Sequence, residues 1–172
     1  MHIFLTGPIQ IGKSTVISKT LSIMGITPKG FRTYFGPNRK SSHRKLYINS
    51  ASDAQIYREE NVITEFTKGN LPRVQTERFD TLGVELIRSA GASANLILMD
   101  ECGNLENYAF LFQKEILNTL NNCIPVLGVL KLSGYGWIDK IRNHPQVSIV
   151  TVSRENRDIL PQTLARQFTM IR

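Results

Sequence analysis

The sequence predicts an α/β protein built on a mostly parallel sheet with helices on both faces. Three observations carry this. Short apolar, β-branched runs alternate with segments of helical spacing along most of the 172 residues. Those runs are apolar throughout, the pattern of strands covered on both sides. One stretch, 30–66, breaks the rhythm and reads as an early antiparallel hairpin insertion with an edge strand.

Length supports one domain, residues 1–172, large enough to bury roughly 70% of its unfolded surface without a staple. No repeat, low-complexity tract or linker divides it. No apolar run reaches the ~18–20 residues of a membrane helix, and the opening Met1-His2-Ile3-Phe4-Leu5 is too short for a signal-peptide core. Cys102 and Cys123 form no CxxC, so neither a disulfide framework nor a zinc site is indicated. A cytoplasmic, reduced protein without a membrane partner is the expectation. The oligomeric state is not legible.

The elements follow in order. His2–Thr6 reads as a buried strand. Lys13–Met24 reads as a helix, with Val16, Ile17, Leu21 and Met24 on one face. Strands are predicted over 30–36 and 45–49, around the turn-rich 37–42, and an edge strand over 61–66. Phe79, Leu82, Leu86 and Ala90 predict a helix over 78–90. The run 95–100 is a strand ending in acid. A helix follows over 108–120, a strand over 125–130, a helix over 138–142, a strand over 147–152, and a helix over 155–168.

Gly7-Pro8-Ile9-Gln10-Ile11-Gly12-Lys13-Ser14 satisfies G-x-x-x-x-G-K-[ST], placed between strand and helix as that motif requires. Backbone N–H groups of such a loop surround phosphates, and the helix N-terminus adds a positive dipole end. Lys13 is expected to reach the β- and γ-phosphates. The Ser14 hydroxyl is expected to ligate Mg²⁺, and Thr15 to lie near the α-phosphate. Gln10 stands where many such loops carry a third glycine. Its side chain restricts the loop's dihedrals, or adds a polar contact.

The apolar run from Asn95 to Met99 delivers Asp100 and Glu101. An acid at such a strand end holds Mg²⁺ beside the phosphates, so Asp100 is the candidate metal-side residue. Successive strand residues point to opposite sides, so the two acids need not share a role. Glu101 is the candidate general base for an attacking water. Glu106 either caps the next helix or orients the catalytic groups.

These residues resemble the small P-loop nucleoside-triphosphatase family that includes the human cancer-related nucleoside-triphosphatase and its archaeal and bacterial relatives. Four segments carry the likeness: Phe4-Leu5-Thr6-Gly7-Pro8 through Thr15; Gly30-Phe31-Arg32-Thr33; Met99-Asp100-Glu101-Cys102-Gly103-Asn104-Leu105-Glu106; and Ile141-Arg142 through Val147, then Val152-Ser153-Arg154-Glu155-Asn156-Arg157-Asp158-Ile159-Leu160-Pro161. The resemblance implies a three-layer P-loop fold with a catalytic glutamate. It implies slow, Mg²⁺-dependent hydrolysis of ATP, GTP and other nucleoside triphosphates with little base selectivity. Lys13, Ser14, Asp100 and Glu101 match the family's site positions. Gln10 and Cys102 depart from its pattern, and 36–77 matches it poorly.

Several features stay open. Asn156 or Arg157 reads as a contact to base or phosphates; Ser153 reads equally as a helix N-cap. Lys131 reads as a γ-phosphate contact or a solvated loop lysine. Trp137 and Tyr135 read as helix anchors rather than base contacts, and the scattered His2, His43 and His144 suggest no metal cluster. The chain carries 21 Lys and Arg against 14 Asp and Glu, a net charge of +7. Much of the excess lies in Lys29, Arg32, Arg39, Lys40, Arg44 and Lys45, interleaved with Tyr34, Phe35 and Tyr47. The hairpin 29–45 is therefore a candidate nucleic-acid contact as well as a solvated hairpin. Two other functional classes compete with hydrolysis: a nucleotide or nucleoside kinase, and a nucleotide-regulated nucleic-acid-binding module.

Overall fold

A computed structural model of the chain describes residues 1–91 and 94–170. Eight strands form one sheet: β1 (His2–Thr6), β2 (Lys29–Phe35), β3 (Lys45–Ser50), β4 (Val62–Phe66), β5 (Pro72–Val74), β6 (Ile97–Cys102), β7 (Val126–Leu130) and β8 (Val147–Thr151). Their spatial order is β5-β4-β3-β2-β6-β7-β1-β8. β2, β6, β7, β1 and β8 run parallel; β3, β4 and β5 extend the sheet antiparallel from β2. The mostly parallel α/β expectation holds, with one refinement: β2 belongs to the parallel core through its pairing with β6.

Alternation along each central strand divides the core. Ile3, Leu5, Leu98, Leu127 and Val129 face one side, packed against α1 (Lys13–Met24) and α6 (Leu160–Thr169). Phe4, Ile97, Met99, Val126 and Leu130 face the other, with α3 (Val84–Arg88), α4 (Phe110–Thr119) and α5 (Trp137–Arg142). Gly128 on β7 has no side chain because the Phe4 ring lies over it; a Cβ there would fall 2.3 Å from a ring carbon.

Four boundaries depart from expectation. The segment 61–66 is not an edge: β4 lies between β3 and β5, and the three-residue β5 closes the sheet with Pro72 first, where no ladder N–H is needed. The helix expected over 78–90 begins earlier, with α2 (Thr76–Arg78), and passes through a π-helical turn, Phe79–Gly83. There the Phe112 ring packs on Gly83, and Asp80 Oδ1 accepts the Phe112 N–H at 2.9 Å, capping a helix 30 residues on. The last helix begins at Leu160; 155–159 is a run of turns. α4 begins at Phe110 rather than 108.

Candidate active site

Parallel pairing brings the carboxyl ends of β1, β2, β6, β7 and β8 to one edge, where ligands of such sheets bind. At the end of β1 the chain enters the loop 7–12. Gly7 opens it at φ +140°, with the Val152 carbonyl oxygen only 2.7 Å from where a Cβ would stand. Gly12 closes it at φ +112° and leads into α1. Between them Gln10 adopts φ +65°, the left-handed conformation that explains glycine's usual presence there. No side chain caps α1 and no acid occupies its first turn, so its N-terminus stays open to an anion. The Lys13 ammonium folds back over this opening and donates to the carbonyl oxygens of Gly7 at 2.9 Å and Pro8 at 3.0 Å.

The acids arrive from β6, separated from β1 by β7. Met99 pairs with Gly128 and Cys102 with Leu130, so β6 spends one extra residue where Asp100 and Glu101 sit. This bulge suspends the simple alternation that assigned the two acids to opposite sides. The Lys13 charge acts on both carboxyl groups. Burial pushes Asp100 up to about 7, and the neighbouring Glu101 adds to it. Arg32, its register partner on β2, and Lys13 pull the other way. Burial also raises Glu101, against Lys13 and Lys131, and the Glu101 N–H donates to Thr33 Oγ1 at 3.3 Å.

Glu106 is 3% exposed, and its Oε2 accepts the Gly103 N–H at 2.9 Å. Burial pushes its carboxyl up to about 7 despite that bond. The Trp137 indole donates to Gly103 O at 3.0 Å, and Gln113 Nε2 to Glu106 O at 2.7 Å. Glu106 thus fastens the loop behind the acids rather than capping α4, and Trp137 anchors a loop as well as a helix. Lys131 is exposed, yet its charge reaches Glu101 and Glu106.

Beyond β8 the two open readings separate. Asn156 Oδ1 accepts the Ser153 N–H and its Nδ2 donates to Thr151 O, both at 2.8 Å, so Asn156 shapes the turn. Ser153 caps no helix, because none starts before Leu160. Arg157 reaches across to the phosphate loop, with Nη1 3.4 Å from Ile11 O.

The basic hairpin spends part of its charge internally. Arg44 lies over the Phe35 and Phe66 rings, 5.2 and 4.5 Å from their centroids, and Lys45 pairs with Glu59 at 2.8 Å and Glu65 at 3.3 Å. Tyr57 packs edge-on against both Tyr34 and Tyr47. Arg39 and Lys40 are exposed.

His2 is buried, and burial lowers its pKa to about 4 against the bond its Nε2 makes with Leu120 O at 2.9 Å, so it is neutral. Among the described residues no group of three or more His, Cys, Asp or Glu side chains gathers to hold a metal. A divalent cation carried mainly by phosphates needs no such cage. The hard oxygens of Ser14 and Asp100 suit Mg²⁺, and the half-buried Asp100 makes no hydrogen bond to a described side chain, which leaves its carboxylate free for a cation. No helix among the described residues is long and apolar enough to cross a membrane.

The model of a family described as NTPase matches residues 2–165, and the chain belongs to that family. It is 29% identical over 180 residues to the nucleoside-triphosphatase THEP1 of Thermofilum pendens, covering 99% of this chain and 96% of that one. It is 26% identical over 188 residues to the human cancer-related nucleoside-triphosphatase, covering 92% of each. The crystal structure of THEP1 from Aquifex aeolicus superposes with a TM-score of 0.76 at 19% identity, covering 98% of this chain and 99% of that one, and shares the fold.

Proposed function

We propose that this chain hydrolyses nucleoside triphosphates to diphosphate and phosphate, with Mg²⁺ as cofactor and with low selectivity for the base. The placement of the phosphate loop with Lys13 after β1 and of Asp100 and Glu101 at the end of parallel β6, on one sheet edge, carries the reading. Loop N–H groups and the α1 N-terminus bind the phosphate chain. Lys13 exchanges its carbonyl partners for β- and γ-phosphate oxygens. Ser14 and Asp100 would hold Mg²⁺, which when bound neutralises charge on those oxygens. Glu101 orients a water in line with the γ-phosphorus and takes its proton as the bond to the β-phosphate oxygen breaks. Its raised pKa makes it a stronger base than an exposed carboxylate. The relatives' names, nucleoside-triphosphatase, support the same activity.

Phosphate release from ATP, GTP and CTP by wild type, Lys13→Ala and Glu101→Gln tests this. Turnover by wild type, lost in both variants, is the expected result; unchanged turnover in Glu101→Gln removes the base. One observation favours a second reading. A groove of about 410 Å³ between α1 and the start of β2 is lined by Arg32, Ser52 and Asp53, and its arginine neighbours Asp100. Through Arg32 an acceptor seated there would approach Asp100, as a kinase requires. A phosphorylated product formed from a nucleoside or nucleotide acceptor, without phosphate release, would establish that reading instead.

A further inference from the structure

The phosphate site has a direction. Lys13, Asp100 and Glu101 mark the end where the γ-phosphate reacts, on the β6 side of β1. β8 lies on β1's other side. A triphosphate wound round the start of α1 with its γ end toward the acids leaves its nucleoside toward the loop that follows β8.

Arg157 is the side chain that this loop sends there. Its Cδ lies 3.8 Å from where a Cβ on Gly12 would stand, and its Nη1 is 3.4 Å from the Ile11 carbonyl oxygen. Its neighbour Asn156 fixes the turn through two side-chain bonds, to Thr151 O and from the Ser153 N–H, and the Arg157 N–H itself donates to Ser153 O at 3.1 Å. The backbone that aims Arg157 is therefore built, while its guanidinium is exposed and forms no ion pair among the described residues. The arginine stem thus lies within van der Waals reach of the residue that closes the loop, whose φ of +112° is what asks for glycine there.

We infer that Arg157 is the nucleoside contact of this site, its flat guanidinium stacking on the base face beside the first turn of α1. This rests on the triphosphatase reading only for the presence of a nucleotide. A cation stacks on any aromatic face, and an ammonium lacks the plane to do so equally. Stacking without contact to the base edge holds ATP, GTP and CTP alike, which supplies a physical basis for low base selectivity.

Equilibrium titration of wild type, Arg157→Ala and Arg157→Lys with ATP, GTP, CTP and inorganic tripolyphosphate tests the inference. Tripolyphosphate carries the phosphate chain without a nucleoside. Arg157→Ala is expected to weaken all three nucleotides by roughly tenfold and to leave tripolyphosphate affinity within about twofold, which also shows the loop intact. Arg157→Lys is expected to recover only part of the loss. Equal weakening of tripolyphosphate, loss confined to one base, or full recovery by lysine each overturns the assignment. Nucleotide binding without phosphate release defeats the triphosphatase reading and leaves Arg157 standing; a wild type that binds none of the three nucleotides defeats both.

Discussion

The Lys13 ammonium lies 2.9 Å from the carbonyl oxygen of Gly7, so the first residue of α1 is bonded to the residue that opens the phosphate loop. This bond and the one to Pro8 hold the cation over the loop, and the proposed function has phosphate oxygens replace both carbonyl partners. Lys13→Ala removes the loop's own tie and, with it, the charge we propose to face the transferred phosphoryl group. We expect nucleotide affinity to fall and kcat to drop roughly 100-fold or more, measured by titration and by phosphate release.

Glu101→Gln keeps the size and the backbone bond to Thr33 but cannot take a proton. Binding of nucleoside triphosphate is expected to stay within a few-fold of wild type while turnover falls about 10²- to 10⁴-fold. Single-turnover phosphate release separates the two quantities.

Gln10 and Gly7 both have positive φ, with opposite consequences for substitution. Gln10→Gly relieves a left-handed conformation that costs a side-chain residue about 1 kcal/mol, partly offset by the added freedom of the unfolded chain. We expect unchanged or slightly higher stability and unchanged affinity. Gly7→Ala drives a Cβ to 2.7 Å from the Val152 carbonyl oxygen at φ +140°. It is expected to cost about 1–3 kcal/mol and to abolish nucleotide binding, read by thermal unfolding and titration.

Glu106 gives a pH test. Its folded pKa of about 7 exceeds the ordinary 4.5. Between those values the folded chain keeps a proton that the unfolded chain has released, so its contribution is full below about 4.5 and is lost as pH rises to about 7. Urea unfolding without nucleotide or Mg²⁺ should show wild type losing at most about 3 kcal/mol more across this window than Glu106→Gln. Parallel pH profiles for the two proteins would contradict the buried, protonated carboxyl.

The loop 7–15 and the pair Asp100–Glu101 were legible because their signals are local: a fixed spacing, and an apolar run ending in acid. The parallel core was legible from apolar runs such as 95–100 and 125–130, the pattern of strands covered on both faces. Features set by distant partners were not. The bulge that turns Asp100 and Glu101 to a common charge is defined against β7, and the π-helical turn over 79–83 against Phe112. Asp80 caps a helix 30 residues away with no short-range pattern. Arg157 was flagged only as one of two candidates. What separated the two was that Asn156 bonds back into its own turn while Arg157 reaches across to Ile11, contacts set by the folded loop and not by sequence spacing.

The strand between the phosphate loop and the acids acts as a ruler. Two ladder spacings, roughly 10 Å, separate β1 from β6, and β7 sets both. At its centre Gly128 carries the Phe4 ring with no room for even one carbon. The backbone ladders fix the distance, and the ring seated on the ruling strand packs it from the dry interior. A side chain at position 128 would displace Phe4, a residue of the strand that carries the phosphate loop, from inside the fold and far from any residue proposed to meet substrate.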